Sequence, residues 1–201
     1  SIFISDTKIN DDYKPILRGK DVYRYSYKES NKFIYYGNHL ACPRRKEIFE
    51  QPKILIREAG SVITATYDDS NFYIMSSLYN AISKDKGFNL KYLLVLINSQ
   101  LFQFLMNQFT FEKTKGAFTK AKIYHYYNLP VKIIQNQNPF IELVDQILLL
   151  KKENPQSDTT ALEQQIDNLV YRLYDLTYDE VKVVDPAFAL SEEEYNNIEI
   201  E

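Results

Sequence analysis

Alternating apolar positions dominate the first half of the chain. Ile54 and Ile56 lie on one side of a short run, and Val62, Thr64 and Thr66 alternate in the same way after a turn. A period of two is typical of β-strands, because successive side chains of a strand point to opposite faces of a sheet. The pattern therefore predicts two adjacent strands at the centre of this half.

Further short apolar runs predict additional strands and one helix. The helix is expected from Leu90 to about Gln108, with Asn89 as its N-cap, because apolar residues recur there at helical spacing. The additional strands are predicted at 13–27, where an edge strand is expected, at 33–37, at 71–76, and at 123–127 and 131–134, where two closing strands are interrupted by Pro130.

Helical spacing replaces the alternation after residue 135. Asn138 is expected to be the N-cap of a helix with Pro139 at its first position, and the apolar stripe ends near Lys152. Asp158 is expected to cap a second helix, and the apolar stripe from Leu162 to Leu173 forms its inner face. These two segments predict a helical hairpin.

Together these patterns predict an α+β fold. We expect a mixed, mostly antiparallel β-sheet domain with a core helix over residues 1–134, followed by a C-terminal α-helical hairpin over residues 135–184. Thr177 and Glu180 have the spacing of a capping box, so a short third helix is predicted there. The acidic tail, residues 185–201, is expected to be loosely ordered from Ser191 onward.

The sign of the net charge changes between the predicted sheet domain and the C-terminal part of the chain. The chain of 201 residues has a formal net charge of −3, but residues 1–130 hold 19 basic and 12 acidic residues and residues 131–201 hold 5 and 15. A basic first part indicates a polyanionic partner, and an acidic second part indicates solvent or another protein. The alternative is a solvated surface whose charge is unevenly distributed.

Cysteine and hydropathy limit the cellular context and the metal chemistry. Cys42 is the single cysteine, which excludes an internal disulfide framework and predicts a cytoplasmic location. No apolar run approaches the roughly 20 residues that a membrane helix needs. His39 and Cys42 are too few for a zinc site, and the other histidine, His125, is distant in sequence, so no metal site is predicted.

Basic residues alternate with aromatic ones in several segments, a pattern that suits nucleic-acid contact. We expect seven cations to bind phosphates, namely Arg18, Lys20, Arg24, Lys113, Lys115, Lys120 and Lys122. Arg44, Arg45 and Arg57 are the candidates for reading base edges, since a guanidinium pairs with guanine in bidentate fashion. Lys46 and Lys53 complete the predicted DNA-binding set. Alternatively, these cations belong to a wet edge strand and a solvated loop.

Five segments occur in an order that resembles a known family. They are ILRGKDVYRY, PRRKEIFEQPKILIREAGSVITATYDDSNFY, KYLLVLINSQLFQFL, KGAFTKAKIYHYYNLPV and LEQQIDNLVYRLYDLTYDEV. This order is similar to the TaqI-like C-terminal specificity domain, over nearly all of residues 13–184. The phrase LEQQIDNLVYRLYDLT also resembles the helical ends of type I specificity subunits.

The resemblance implies a role in choosing a DNA target. In that family the domain is the target-recognition part of adenine-specific DNA methyltransferases and of type II restriction enzymes that fuse methylation with cleavage. The expected partners are double-stranded DNA and a covalently linked methyltransferase domain. The methyl-transfer motif Asn/Asp-Pro-Pro-Tyr/Phe and a Gly-rich cofactor loop do not occur in this chain. S-adenosylmethionine is therefore expected in a catalytic domain outside this chain, no cofactor is expected within it, and this chain is not expected to be an enzyme.

Two other functions are compatible with the residues. A metal-dependent nuclease would need clustered carboxylates, for which Glu58, Asp68 and Asp69 are candidates. Asp68 and Asp69 also have the chemistry of an ordinary turn, and Glu58 can pair with Arg57. A protein-interaction module is the other alternative, with the acidic helical hairpin docking a catalytic subunit.

Overall fold

The computed structural model describes residues 2–85, 88–109 and 121–200. The chain forms two compact units, residues 1–90 and residues 91–201. The predicted functional boundary at residue 134 stays a prediction. No helix in the described part of the chain is long and apolar enough to cross a membrane.

Unit 1 contains the strands. They are β1 (Ile4–Ser5), β2 (Tyr13–Leu17), β3 (Val22–Tyr23), β4 (Ser26–Tyr27), β5 (Phe33–Tyr35), β6 (Lys53–Arg57), β7 (Ala65–Asp68), β8 (Tyr73–Ile74) and β9 (Leu78–Ala81). One sheet has the order β1-β5-β2-β8, a second has the order β7-β6-β9, and β3 and β4 form a separate hairpin. All pairs are antiparallel except β2 with β8.

The two central strands form, but the second begins later than the alternation predicted. β6 pairs with β7 so that Ile54 lies opposite Tyr67 and Ile56 opposite Ala65, and Val62 and Thr64 precede β7. The prediction of an edge strand in 13–27 is wrong for β2, because that strand is paired on both sides. Leu17, the last residue of β2, is fully buried in an apolar cluster that includes Leu55.

Unit 2 contains the helices. They are α1 (Leu90–Asn98, which begins at the last residue of unit 1), α2 (Gln100–Phe109), α3 (Ile123–Tyr127), α4 (Asn138–Glu153), α5 (Thr160–Leu173), α6 (Tyr178–Val184) and α7 (Glu192–Asn196). The helices α4 and α5 pack on each other, and α5 also packs on α2. The predicted hairpin and the α+β class are confirmed.

Ser99 divides the predicted core helix into two. Its hydroxyl donates to the Leu96 carbonyl at 2.8 Å and accepts from the Phe102 amide at 3.2 Å. One side chain thus satisfies the end of α1 and the start of α2, as serine does at an N-cap. The apolar stripe remains continuous across the break, and Leu94, Leu101 and the residues around them are buried.

Three predictions for the later part of the chain are wrong. Residues 123–127 form a helix instead of a strand, because α3 packs on α2 and tertiary contacts override the strand preference of its aromatic residues. Residues 131–134 form no strand. The tail is ordered, since Ser191 and Glu194 form a capping box that starts α7 and Tyr195 is fully buried.

Candidate nucleic-acid interface

Three consecutive cations project from one loop of unit 1. We call this segment the basic loop and define it as Arg44, Arg45 and Lys46, all of which are exposed. The loop leads into a short 3-10 helix over Lys46–Ile48, and the buried Phe49 closes that helix with a bond from its amide to the Lys46 carbonyl at 2.8 Å. The side chains are therefore presented from an ordered backbone.

Tyr36 fixes the start of the basic loop. Its hydroxyl donates to the Arg44 carbonyl at 2.6 Å and accepts from the Arg44 amide at 2.7 Å. The Tyr36 ring packs edge-on against Tyr73 and Phe49, with centroid distances of 4.6 and 5.8 Å. Because the backbone N–H and C=O of Arg44 are both held by one side chain that packs on Tyr73 and Phe49, the basic loop has little freedom left to lose on binding.

The hairpin of β3 and β4 presents a further cation, Arg24. Its two-residue turn consists of Arg24 and Tyr25, and Tyr25 has a positive φ of 58°. The Tyr25 ring is 2% exposed, and its amide donates to the Ala65 carbonyl at 3.0 Å. The Arg24 guanidinium lies 5.3 Å from the centroid of that ring. The turn is thus attached to the domain through Tyr25, while Tyr23 is 49% exposed beside it.

The turn before this hairpin contains two further predicted cations. Arg18 Nε lies 3.1 Å from Asp21 Oδ2, and the Arg18 amide donates to the same oxygen at 2.9 Å. Lys20 is exposed. Gly19 donates its amide to Ser77 Oγ at 2.8 Å, and a Cβ at this position would lie 3.0 Å from the Ser77 carbonyl oxygen. The close approach that glycine permits here is to Ser77.

Lys53 is not available to DNA, and this part of the predicted set is wrong. Its side chain is fully buried, with Nζ 2.5 Å from Asp68 Oδ2 and 2.7 Å from the Phe49 carbonyl. Asp68 is also fully buried and accepts from the amides of Ser70 at 2.9 Å and Phe72 at 3.2 Å. Lys53 lies directly opposite Asp68 in the β6–β7 register, so the two charges neutralise each other inside the sheet.

The remaining predicted cations lie in different places. Arg57 ends β6 and is partly exposed, and Lys122 precedes α3 and is exposed. Lys113, Lys115 and Lys120 lie outside the described residues. Site roles for all of these side chains stay predictions.

Several carboxylates of unit 1 are held by internal contacts. Glu50 accepts from the Tyr73 hydroxyl at 2.6 Å and lies 3.8 Å from Lys14 Nζ. Burial, followed by the contact with Glu50, raises the pKa of Tyr73, so that phenol stays a neutral donor. Together with Asp21 and Asp68, these acids are engaged within the fold, whereas the basic loop projects into solvent. The resulting surface favours an anionic partner.

The carboxylates of the alternative nuclease site have structural contacts. Asp68 forms the buried ion pair with Lys53 and stabilises the turn after β7. Among the residues that the structure describes, no three His, Cys, Asp or Glu side chains come together as metal ligands.

Sequence reasoning did not single out exposed tyrosines in unit 2. Tyr124 is 49% exposed and Tyr127 is 78% exposed, on either side of the buried His125. The spacing of three between these tyrosines is helical, and this was the available signal. The residue types favoured a strand instead.

Comparison with known proteins identifies the family of this chain. Residues 14–131 match the TaqI-like C-terminal specificity domain. The chain is also 31% identical over 180 residues to a protein of Methanocaldococcus jannaschii named as a type II restriction enzyme and methyltransferase. That alignment covers 85% of this chain and 15% of the relative, so the chain spans a small part of the relative's length. The match to more than half of the chain confirms the resemblance seen in the sequence, and this chain belongs to the TaqI-like C-terminal specificity domain family.

Proposed function

We propose that this chain is the double-stranded DNA recognition module of a restriction-modification adenine-N6 DNA methyltransferase. Membership of a specificity-domain family and the name of the relative support a role in such an enzyme. The observation that carries the proposal is the basic loop, whose three exposed cations extend from a backbone held at one end by the partly buried Tyr36 and at the other by the buried Phe49. A rigid, cationic projection is suited to a DNA groove.

Arginine chemistry suggests how the sequence would be read. A guanidinium can donate two parallel hydrogen bonds to O6 and N7 of guanine, whereas an ammonium acts as a point charge. We therefore assign base reading to Arg44, Arg45 and Arg57. Arg44 and Arg45 are the strongest candidates, because both are exposed and both backbone polar groups of Arg44 are held by Tyr36.

Other cations would hold the phosphate backbone. Lys20 and Lys122 are exposed, and Arg24 and Arg18 are partly exposed next to ordered turns. Lysine and arginine at such positions fix the register of a protein on the duplex without reading the bases. We keep the lysines of segment 113–120 in this group on sequence grounds. Lys53 does not belong to the proposed DNA-binding residues, because its side chain is buried.

The chemistry of methyl transfer would belong to a catalytic domain outside this chain. In this proposal the recognition module fixes the position of the duplex, and the catalytic domain binds S-adenosylmethionine and methylates the target adenine. This chain would then contribute to the choice of site and to the position of the adenine, and it would have no catalytic activity of its own. Such a module would act in the cytoplasm, where cellular DNA is found.

Fluorescence anisotropy of a labelled duplex of random sequence tests the proposal. The chain should bind at about 50 mM salt and much more weakly at about 200 mM, because phosphate contacts release counterions. Arg45→Ala should cost on the order of 1–3 kcal/mol of binding free energy on a selected site and relax its sequence preference. Lys152→Ala is the matched control, since Lys152 is an exposed cation on the acidic helix α4 and should leave affinity unchanged.

Two outcomes would contradict the proposal. Equal losses for Arg45→Ala and Lys152→Ala would mean that only overall charge matters. Absence of binding at both salt concentrations would favour the interaction module, in which the helical hairpin docks a catalytic subunit.

A further inference from the structure

The short helix α3 exposes two aromatic rings in unit 2. Tyr127 is 78% exposed and Tyr124 is 49% exposed, and the preceding Lys122 is exposed as well. Lys122 Nζ lies 5.8 Å from the centroid of the Tyr124 ring. We call these three side chains the α3 surface. Large exposed aromatic residues next to a cation mark a surface that contacts a partner.

The α3 surface is held by a well-ordered base. His125 is 8% exposed, and its Nδ1 accepts from the Lys122 amide at 3.1 Å, which caps the first turn of α3. Leu129, just after the helix, is 7% exposed. The inner face of α3 therefore anchors the helix and leaves Tyr124 and Tyr127 pointing outward.

The segment after α3 is attached to the end of α5. The Tyr174 hydroxyl donates to the Pro130 carbonyl at 2.5 Å and accepts from the Lys132 amide at 3.1 Å. Lys132 Nζ donates to the Leu173 carbonyl at 2.7 Å and lies 3.0 Å from Asp175 Oδ2. These contacts fix both the backbone and the side chain of Lys132, so α3 is bounded by a rigid segment.

Charge along unit 2 indicates the kind of partner. Residues 91–141 contain six lysines and one acidic residue, Glu112, whereas residues 142–201 contain four basic and fifteen acidic residues. The helix α3 belongs to the basic part. Lys91 and Lys132 pair with Asp145 and Asp175, whereas Lys122 is exposed at the start of α3, where it can attract a polyanion.

From these observations we infer that the α3 surface is a second DNA contact of this chain, on a different unit from the basic loop. Lys122 binds a phosphate, and the rings of Tyr124 and Tyr127 pack on the adjacent sugars or bases. The inference rests on the proposed function, because it needs the chain to bind DNA. A protein partner is less suited to this surface, since lysine is depleted from protein interfaces and enriched in those with nucleic acids.

The test uses the fact that the chain contains no tryptophan. A Tyr127→Trp variant places the chain's single tryptophan on the α3 surface, and a Leu149→Trp variant places it on α4, where Leu149 is 57% exposed in the acidic part. Each variant is titrated with a random-sequence duplex, and anisotropy of the labelled DNA is recorded with tryptophan emission. Anisotropy reports the proposed function, and emission reports the α3 contact.

The inference predicts that DNA quenches the emission of Tyr127→Trp and leaves that of Leu149→Trp unchanged. Two other results are decisive when anisotropy shows DNA binding: emission changes equally in both variants, or it does not change in Tyr127→Trp. Either result would overturn the α3 contact and leave the proposed function standing. If the unsubstituted chain does not raise the anisotropy of the labelled DNA, both the proposed function and the α3 contact are overturned.

Affinity provides a second readout on the same surface. Tyr127→Ala should weaken binding about fivefold, the lower end of what one stacked aromatic ring contributes, without changing the salt dependence. Lys122→Ala should instead reduce the slope of log K against log salt by about 0.9, because one phosphate contact is lost. Tyr127→Phe keeps the ring and should keep the affinity. Wild-type affinity for Tyr127→Ala would contradict the inference.

Discussion

Replacement of Lys53 by methionine should destabilise unit 1 without removing a DNA contact. Methionine retains most of the aliphatic stem but removes the ammonium group, which lies 2.5 Å from Asp68 Oδ2 and 2.7 Å from the Phe49 carbonyl. Asp68 is fully buried and would be left without its charged partner. Breaking a buried pair in this way typically costs about 3–5 kcal/mol.

The contacts of Asp68 place the expected cost at the lower end of that range. Its carboxylate keeps the amides of Ser70 and Phe72 as donors after the substitution, so part of the charge stays solvated by hydrogen bonds. We expect a loss of about 3 kcal/mol. For a domain of 60–100 residues this lowers the melting temperature by more than about 10 °C.

Thermal and urea unfolding, combined with DNA anisotropy below the melting temperature, would measure this effect. A matched double variant, Lys53→Met with Asp68→Asn, removes both charges and should be more stable than the sum of the two single changes predicts, by about 2 kcal/mol. Unchanged stability together with weakened DNA binding would refute the reasoning, because it would mean that Lys53 acts at the surface.

Two further predictions concern unit 2. Tyr174→Phe removes the hydroxyl that contacts Pro130 and Lys132 and should lower the free energy of unfolding by about 1 kcal/mol, measured by urea denaturation; an unchanged midpoint would contradict it. The capping-box hydrogen bonds of Glu180 and Glu194 hold the pKa of each carboxyl below its ordinary value of 4.5. The contribution of these two carboxylates to stability is therefore complete above pH 4.5 and is lost as the pH falls through the lowered pKa values. A variant with Gln at both positions should lose less stability between neutral and acidic pH than the unsubstituted chain. A greater loss would contradict this.

Local rules located most of the elements. The alternation around Ile54 and Ile56 identified β6, and the spacing of Thr177 and Glu180 identified the start of α6, because each signal depends on neighbouring residues only. The start of α4 was predicted one residue late, since Gln137 is the N-cap. The short strands β1 and β9 were missed, because too few residues carry the pattern.

Elements that depend on distant partners could not be predicted in the same way. Residues 123–127 have strand-forming side chains but form a helix, because their inner face packs on α2. The segment after residue 185 is acidic and was expected to be loose, yet Tyr195 is buried and donates to the Leu176 carbonyl at 2.7 Å. Both outcomes depend on contacts between residues well separated in the sequence.

The sequence by itself determined the family, the α+β class and the positions of the cations. These properties follow from residue order, apolar period and charge, which local chemistry expresses directly. Only the tertiary structure decided which cations reach the surface. Lys53 and Arg45 look alike in the sequence, but the β6–β7 register places Lys53 opposite Asp68 inside the sheet, whereas Arg45 is exposed and follows Arg44, whose backbone Tyr36 holds. Strand register and side-chain packing set burial, and burial decides whether a charge stabilises the fold or is available to bind DNA.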